Sequence, residues 1–129
     1  MMCLTEEVME IYKNMNKICT SIEQSKKLLE LGIDVNTADM YWWSSGKRYY
    51  IEAMDDGDFN EEEGHIPAWS LSALLDTVPS KTGTASILIR DSQTGKYKCV
   101  HGSIFSNSYE ESVDAVFEMI CHLKENGKI

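Results

Sequence analysis

The sequence predicts an α+β domain in which helices cover mainly one face of a small antiparallel sheet of about four strands. A length of 129 residues with 43% hydrophobic residues fits one ordinary domain, spanning 1–129. Several segments repeat apolar residues every three or four positions, as amphipathic helices do. Two other segments read as β-hairpins, each turning on a Ser/Thr-Gly-Lys triplet, at 45–47 and 94–96. The predicted order is α-α-β-β-α-β-β-α.

Two helices are predicted at the N-terminal end. The first covers Thr5 to about Lys17, where apolar residues keep helical spacing (Val8, Ile11, Met15 and Ile18). The second covers 21–31, and its first turn offers two capping boxes, Thr20 with Glu23 or Ser21 with Gln24. Gly32 followed by the apolar Ile33 predicts a Schellman stop for this helix.

The first hairpin is rich in aromatic residues. Met40 to Trp43 reads as a strand, the sequence SSGK as a turn, and Arg48 to Met54 as the returning strand. The acidic stretch Asp55 to Gly64 then has no periodicity, which predicts a solvated loop.

A short core helix and the second hairpin follow. The helix is predicted over 68–78 and ends before Pro79. Strands are predicted at Ala85 to Arg90 and at Lys96 to His101, with a turn between them.

The last predicted helix runs from Ser108 to Asn126. Ser108 with Glu111 forms a capping-box pattern, and Gly127 supplies a left-handed stop. Its apolar stripe predicts that this helix is the element against which the rest of the chain packs (Tyr109, Val113, Val116, Ile120 and Leu123).

Composition limits the cellular compartment and the classes of binding partner that we expect for this protein. The net charge of −9, from 21 acidic and 12 basic residues, opposes direct binding to nucleic acid or to anionic lipid. No apolar run is long enough to span a bilayer, and the first residues are acidic where a secretory signal would be basic. The four cysteines are scattered, as free thiols are in a reducing compartment (Cys3, Cys19, Cys99 and Cys121). We therefore expect a cytoplasmic protein.

Two residue patterns partly fit a metal site, but neither predicts one. Asp56, Asp58 and Asn60 fit alternate positions of a calcium loop, but Glu61 stands where a glycine is needed and Pro67 where a glutamate ligand should be. Whether the loop binds a cation stays open. Cysteine and histidine side chains could form a zinc set, but two of them are adjacent on a helix and point about 100° apart (Cys99, His101, Cys121 and His122).

No catalytic residues and no cofactor are predicted. The three histidines have no nucleophile signature around them, and neither Gly-Lys pair has the earlier glycine of a phosphate loop. An unrecognised hydrolase site stays an open alternative.

The most suggestive candidate site is aromatic and basic. Because consecutive strand residues alternate between faces, Trp42 and Trp43 lie on opposite faces, and at least one is expected to be exposed or at an interface unless the N-terminal helices cover it. Aromatic and arginine side chains dominate the hot spots of protein interfaces. The candidate binding residues are Tyr41, Trp42, Trp43, Lys47, Arg48, Tyr50, Trp69 and Arg90.

Three stretches carry a resemblance to other proteins: QSKKLLELGIDVNTADMYW, IPAWSLSALLDTVP and SVDAVFEMICHLKENGKI. Together they make the chain similar to a group of short proteins, of no assigned activity, from gut bacteria and their phages and prophages. The resemblance implies a bacterial or phage cytosol and an accessory role, and it carries over no catalytic residue.

These observations predict a non-enzymatic binding module that uses the aromatic hairpin to contact a protein partner or a second copy of itself. One alternative is a protein that sequesters a nucleotide-like small molecule, with Lys47, Arg48 or Arg90 meeting a phosphate. Another is an acidic mimic of nucleic acid.

Overall fold

The computed structural model describes residues 17–54, 58–78 and 86–129. Within them the chain forms three α-helices and two antiparallel sheets of three strands each. The α+β class is therefore confirmed. The first predicted helix, Thr5 to Lys17, lies almost entirely outside the described residues.

The first helix, α1 (Ile22–Glu30), begins and ends where local sequence chemistry predicts. Of the two predicted capping boxes, the second forms. The Ser21 hydroxyl accepts the Gln24 N–H at 3.1 Å, and the Gln24 side chain accepts the Ser21 N–H at 2.9 Å. Gly32 is left-handed, with φ of 86°, and the Ile33 N–H returns to the Leu28 carbonyl in a Schellman motif.

The first sheet has the strand order β2-β1-β3, formed by β1 (Met40–Ser45), β2 (Arg48–Ala53) and β3 (Ile66–Ala68). The hairpin of β1 and β2 confirms the sequence prediction. The short strand β3 was not predicted, because three residues are too few to show an alternating pattern. Pro67 is tolerated there because β3 lies at an edge of the sheet.

The described part of the acidic segment between β2 and β3 contains one short helical element. Glu61–Glu63 form a single 3₁₀ turn, capped by the Asn60 side chain and closed by Gly64 in the left-handed region. Asp56, the first position of the calcium-loop pattern, lies outside the described residues.

The second helix, α2 (Leu71–Thr77), is shorter than predicted. Its N-cap is Ser70, whose hydroxyl accepts the Ala73 N–H at 3.2 Å, while Ala68 belongs to β3 and Trp69 is extended.

The second sheet has the order β4-β5-β6, formed by β4 (Ser86–Arg90), β5 (Tyr97–His101) and β6 (Ile104–Phe105). The predicted single sheet of four strands is therefore wrong, and the predicted order α-α-β-β-α-β-β-α lacks the short strands β3 and β6. Each hairpin instead adds one short strand of its own, and among the described strands no pairing joins the two hairpins.

The third helix, α3 (Ser112–Glu125), begins four residues later than predicted. The predicted cap fails because Tyr109 forms a bridge with Tyr97 through two backbone hydrogen bonds, of 2.6 and 2.8 Å, which keeps this segment extended. The Glu111 carboxylate accepts the Lys17 N–H at 2.8 Å and makes no cap contact. At the other end Gly127 is left-handed, as predicted.

Helix α3 lies at the centre of the hydrophobic core. Its inward face is fully buried and packs against β5 and α2 (Val113, Ala115, Val116, Met119, Ile120 and Leu123). The prediction that this helix organises the chain is thus confirmed in its packing, although not in its starting residue.

Candidate functional site

The register of the first hairpin places Trp43 directly opposite Tyr50. Their rings stack, with centroids 4.8 Å apart and planes 27° apart. Tyr50 is 42% exposed, and Trp43 is half-buried beneath it. The indole N–H of Trp43 is shielded from solvent and has no hydrogen-bond partner among the described residues. A shielded donor without an acceptor costs free energy.

Trp42 lies on the opposite face of β1 and is held by the chain itself. Its indole N–H donates to the Thr20 carbonyl at 3.0 Å, just before α1. Of the two adjacent tryptophans, Trp42 therefore has a structural role, and Trp43 belongs to the solvent-facing pair.

Tyr41 lies at the base of the hairpin and is only 3% exposed. Its hydroxyl donates to the Glu52 carboxylate at 2.9 Å, and its ring stacks on His65 with centroids 5.0 Å apart. Phe59 closes the group edge-on at 5.7 Å. Although Tyr41 shares a face with Trp43, its burial removes it from the accessible surface.

The tip of the hairpin is basic in an acidic protein. Lys47 and Arg48 are exposed and form no ion pair within the described part of the chain. Arg48 is two residues from Tyr50, so both side chains lie on the same face of β2. Tyr49, on the other face, is 52% exposed. We call the set Trp43, Lys47, Arg48, Tyr49 and Tyr50 the hairpin surface.

Two predicted binding residues lie elsewhere. Trp69 is fully buried, and its indole N–H donates to the Thr37 hydroxyl at 2.9 Å, so it is a core residue and not part of a contact surface. Sequence patterns did not reveal this, because Trp69 precedes its helix and has no periodic neighbours. Arg90 ends β4 in the second sheet, and its guanidinium lies beside Gly95 in the next turn.

The second sheet carries an exposed apolar face that the sequence analysis did not single out. Ile87 and Ile89 alternate with inward residues on β4, and Phe105 on β6 lies across from Val100. The Lys98 ammonium stands 5.8 Å from the Phe105 ring centroid, in the range of a cation–π contact. In the sequence, the alternation of Ile87 and Ile89 along the strand was the signal that could have indicated this face.

The inward face of the same sheet contains a serine and histidine pair. The Ser86 hydroxyl lies 2.7 Å from Nδ1 of His101, which is buried. The two residues are cross-strand neighbours, so pairing geometry accounts for the contact.

The thiols are poorly suited to nucleophilic or metal chemistry. Burial raises the pKa of Cys19 to about 11 and that of Cys121 to about 11, and it also raises the pKa of Cys99. These thiols stay protonated at neutral pH, and the thiolate is the reactive and metal-binding form. In the described segments no three histidine, cysteine or acidic side chains are grouped closely enough to hold a metal ion.

Two surface grooves lie away from the hairpin. One, of about 350 Å³, runs between β6 and α3 and is lined by Phe105, Glu118 and His122 among others. Another, of about 430 Å³, lies beside the C-terminal residues and includes Thr37, Lys124 and Lys128. Neither groove involves a residue of the hairpin surface.

Comparison of the chain with protein families, with characterised proteins and with solved structures found no match. No helix in the described part of the chain is long and apolar enough to cross a bilayer.

Proposed function

We propose that this chain is a non-enzymatic binding module whose hairpin surface contacts a protein partner. The observation that carries the proposal is the stacked pair of Trp43 and Tyr50, in which Tyr50 is exposed and Arg48 lies on the same face. Tryptophan, tyrosine and arginine are the residues most often found at the energetic centres of protein interfaces. Following the resemblance to short bacterial and phage proteins, the setting of this contact is a bacterial or phage cytosol.

The electrostatics of the hairpin surface indicate an acidic contact region on the partner. Lys47 and Arg48, at the tip of a hairpin, form no ion pair with any described residue, in a chain whose net charge is −9. An acidic patch beside an apolar or aromatic pocket would match both the charge and the stacked rings.

The test compares capture of partners by immobilised wild-type protein and by the Trp43→Ala variant, using lysate of a bacterial host. The matched control is Phe105→Ala, which truncates an exposed aromatic residue on the other sheet. We expect one partner to be retained by wild type and by the control and to be lost with Trp43→Ala. With the purified partner, the dissociation constant should rise by about tenfold or more.

An unchanged dissociation constant for a folded Trp43→Ala variant would contradict the proposal. Trp42→Ala serves as the fold control, because Trp42 donates to Thr20 and its loss should lower stability instead of removing a contact surface.

A second candidate function is sequestration of a small nucleotide-like molecule. The position of Arg48 on the same face as Tyr50 favours it, since a guanidinium can bind a phosphate while an aromatic ring stacks on a base. Arg90 contributes nothing to this site, because it lies in the second sheet. A rise in melting temperature with a nucleotide, lost on Arg48→Ala, would support this candidate, and an unchanged melting temperature across a nucleotide panel would exclude it.

A further inference from the structure

The outer edge of β2 has backbone groups that pair with no other described strand. The Met54 N–H donates to the Asp39 carbonyl at 2.9 Å, so even-numbered residues of β2 point their backbone groups toward β1. Those of Tyr49, Ile51 and Ala53 therefore point away from the sheet. They have no partner among the described residues, and β2 is the edge of its sheet. Such an edge is a template for another strand.

The side chains along this edge are ordered so that the strand complements itself. Read along β2, the residues are Arg48, Tyr49, Tyr50, Ile51 and Glu52, with a cation at one end and an anion at the other. If a second β2 runs antiparallel with the two Tyr50 residues facing each other, Arg48 of each copy lies directly opposite Glu52 of the other. Opposite charges in such cross-strand positions stabilise a sheet.

The hydrogen-bond pattern is compatible with this register. Tyr49 of one copy faces Ile51 of the other, and both have outward backbone groups, so these two residues form a hydrogen-bonded pair. Tyr50 faces Tyr50, and Arg48 faces Glu52, at non-hydrogen-bonded positions, where the Cα atoms are only about 4.5 Å apart and side chains meet most closely.

The groups needed for the new contacts are available. Glu52 is exposed, and the Tyr41 hydroxyl bonds to its Oε2, which leaves Oε1 for a partner. Arg48 forms no ion pair in the described part of the chain. Because Trp43 already stacks on Tyr50, the pairing would also extend one row of rings across four strands.

We infer that the chain forms a two-fold dimer through antiparallel pairing of β2 with β2 of a second copy, centred on Tyr50. This inference rests on the proposed function of the hairpin as a contact surface and names a second copy of the chain as one partner. The β2-β1-β3 sheet of one copy would then join the same sheet of the other copy into one sheet of six strands.

The test uses charge reversal and sedimentation over a concentration series from low micromolar to about one millimolar. We expect wild type to show a reversible dimer. Arg48→Glu places two carboxylates opposite each other at both ends of the interface, and Glu52→Arg places two cations there. Each variant alone should dimerise about tenfold or more weakly than wild type.

A one-to-one mixture of the Arg48→Glu and Glu52→Arg variants should associate again, because every facing pair then has opposite charges. This recovery separates pairing from a folding defect, and a single chain that carries both substitutions should recover in the same way. Circular dichroism of each variant verifies the fold.

Three results would overturn the inference: a wild-type monomer at every concentration, single variants that dimerise like wild type, or a mixture of folded variants that stays monomeric. Loss of the dimer with Phe105→Ser, which alters the second sheet, would also overturn it. A monomeric wild type that still captures a partner through Trp43 would reject the dimer and leave the proposed function standing.

Discussion

Thr20 shows how one buried polar residue fixes several parts of the chain. It is fully buried; its N–H donates to the Trp69 carbonyl at 2.9 Å, and its hydroxyl accepts the Trp69 N–H at 3.1 Å. The same hydroxyl lies 2.8 Å from that of Ser25, and the Thr20 carbonyl accepts the indole N–H of Trp42. The segment before α1 is thereby joined to the central strand β1 and to the residue that follows β3.

We expect Thr20→Val to lower the free energy of unfolding by about 1–3 kcal/mol, because it keeps the shape but leaves buried partners unsatisfied. Thr20→Ser retains the hydroxyl and should cost less. Urea denaturation of the two variants measures the difference. Equal losses would indicate that the methyl group, and not the hydrogen bonds, stabilises this position.

Because of the buried thiols, we expect the free energy of unfolding to fall in alkaline solution. The thiol pKa of Cys19 rises from its ordinary value of 9.0 to about 11 in the folded chain. Above pH 9 the unfolded state has therefore lost protons that the folded state still holds, so the free energy of unfolding falls with pH until about 11. Urea denaturation at pH 8 to 11 should show a shallower decline for Cys19→Ala than for wild type, and an identical slope would contradict the assignment.

At the scale of elements, the helix termini were not all equally predictable. The Schellman stops at Gly32 and Gly127 and the capping box of α1 depend on residues a few positions apart, so the sequence contains the whole motif. The start of α3 depends on the bridge between Tyr97 and Tyr109, which are distant neighbours brought together only by the fold.

This difference gives a test with a matched pair of serines. Ser21→Ala removes a working cap and should destabilise the protein by about 1 kcal/mol. Ser108→Ala should change stability by less than about 0.5 kcal/mol, because Ser108 is exposed and lies outside α3. Thermal unfolding distinguishes the two, and a large loss at Ser108 would mean that the helix begins earlier.

The candidate site was predictable only in part, because it also depends on contacts between residues that are distant in the sequence. Alternation along β1 requires Trp42 and Trp43 to face opposite ways, but their local sequence does not say which indole is hydrogen-bonded within the fold. The Thr20 carbonyl, twenty-two positions away, decides it. Trp69 was misassigned because its burial comes from contacts with distant segments, including Thr37.

At the scale of the whole molecule, α3 and the hairpin differ most in the burial of their side chains, and we expect them to differ in local stability as well. Helix α3 is buried along one side and packs against β5 and α2, while the hairpin tip projects with most of its side chains exposed. Regions with few buried contacts open locally without global unfolding.

Hydrogen exchange in dilute protein should report this gradient. We expect the amides of Val116 and Ile120 to exchange only through global unfolding, and that of Tyr50 to exchange much faster, although it lies at a hydrogen-bonded position of the hairpin. Similar protection at the three positions would show that the hairpin is as stable as the core.

The three tryptophans lie in three different surroundings, and this gives the protein built-in optical reporters. Trp69 is sealed in the interior, Trp42 is bonded to the Thr20 carbonyl, and Trp43 alone stacks at the solvent-facing side of the hairpin. An aqueous quencher such as acrylamide should therefore spare the emission of Trp69 and act on that of Trp42 and Trp43, which are both partly exposed. Occupation of the hairpin surface should be visible in unlabelled protein as protection from that quencher, while the emission of Trp69 reports on folding.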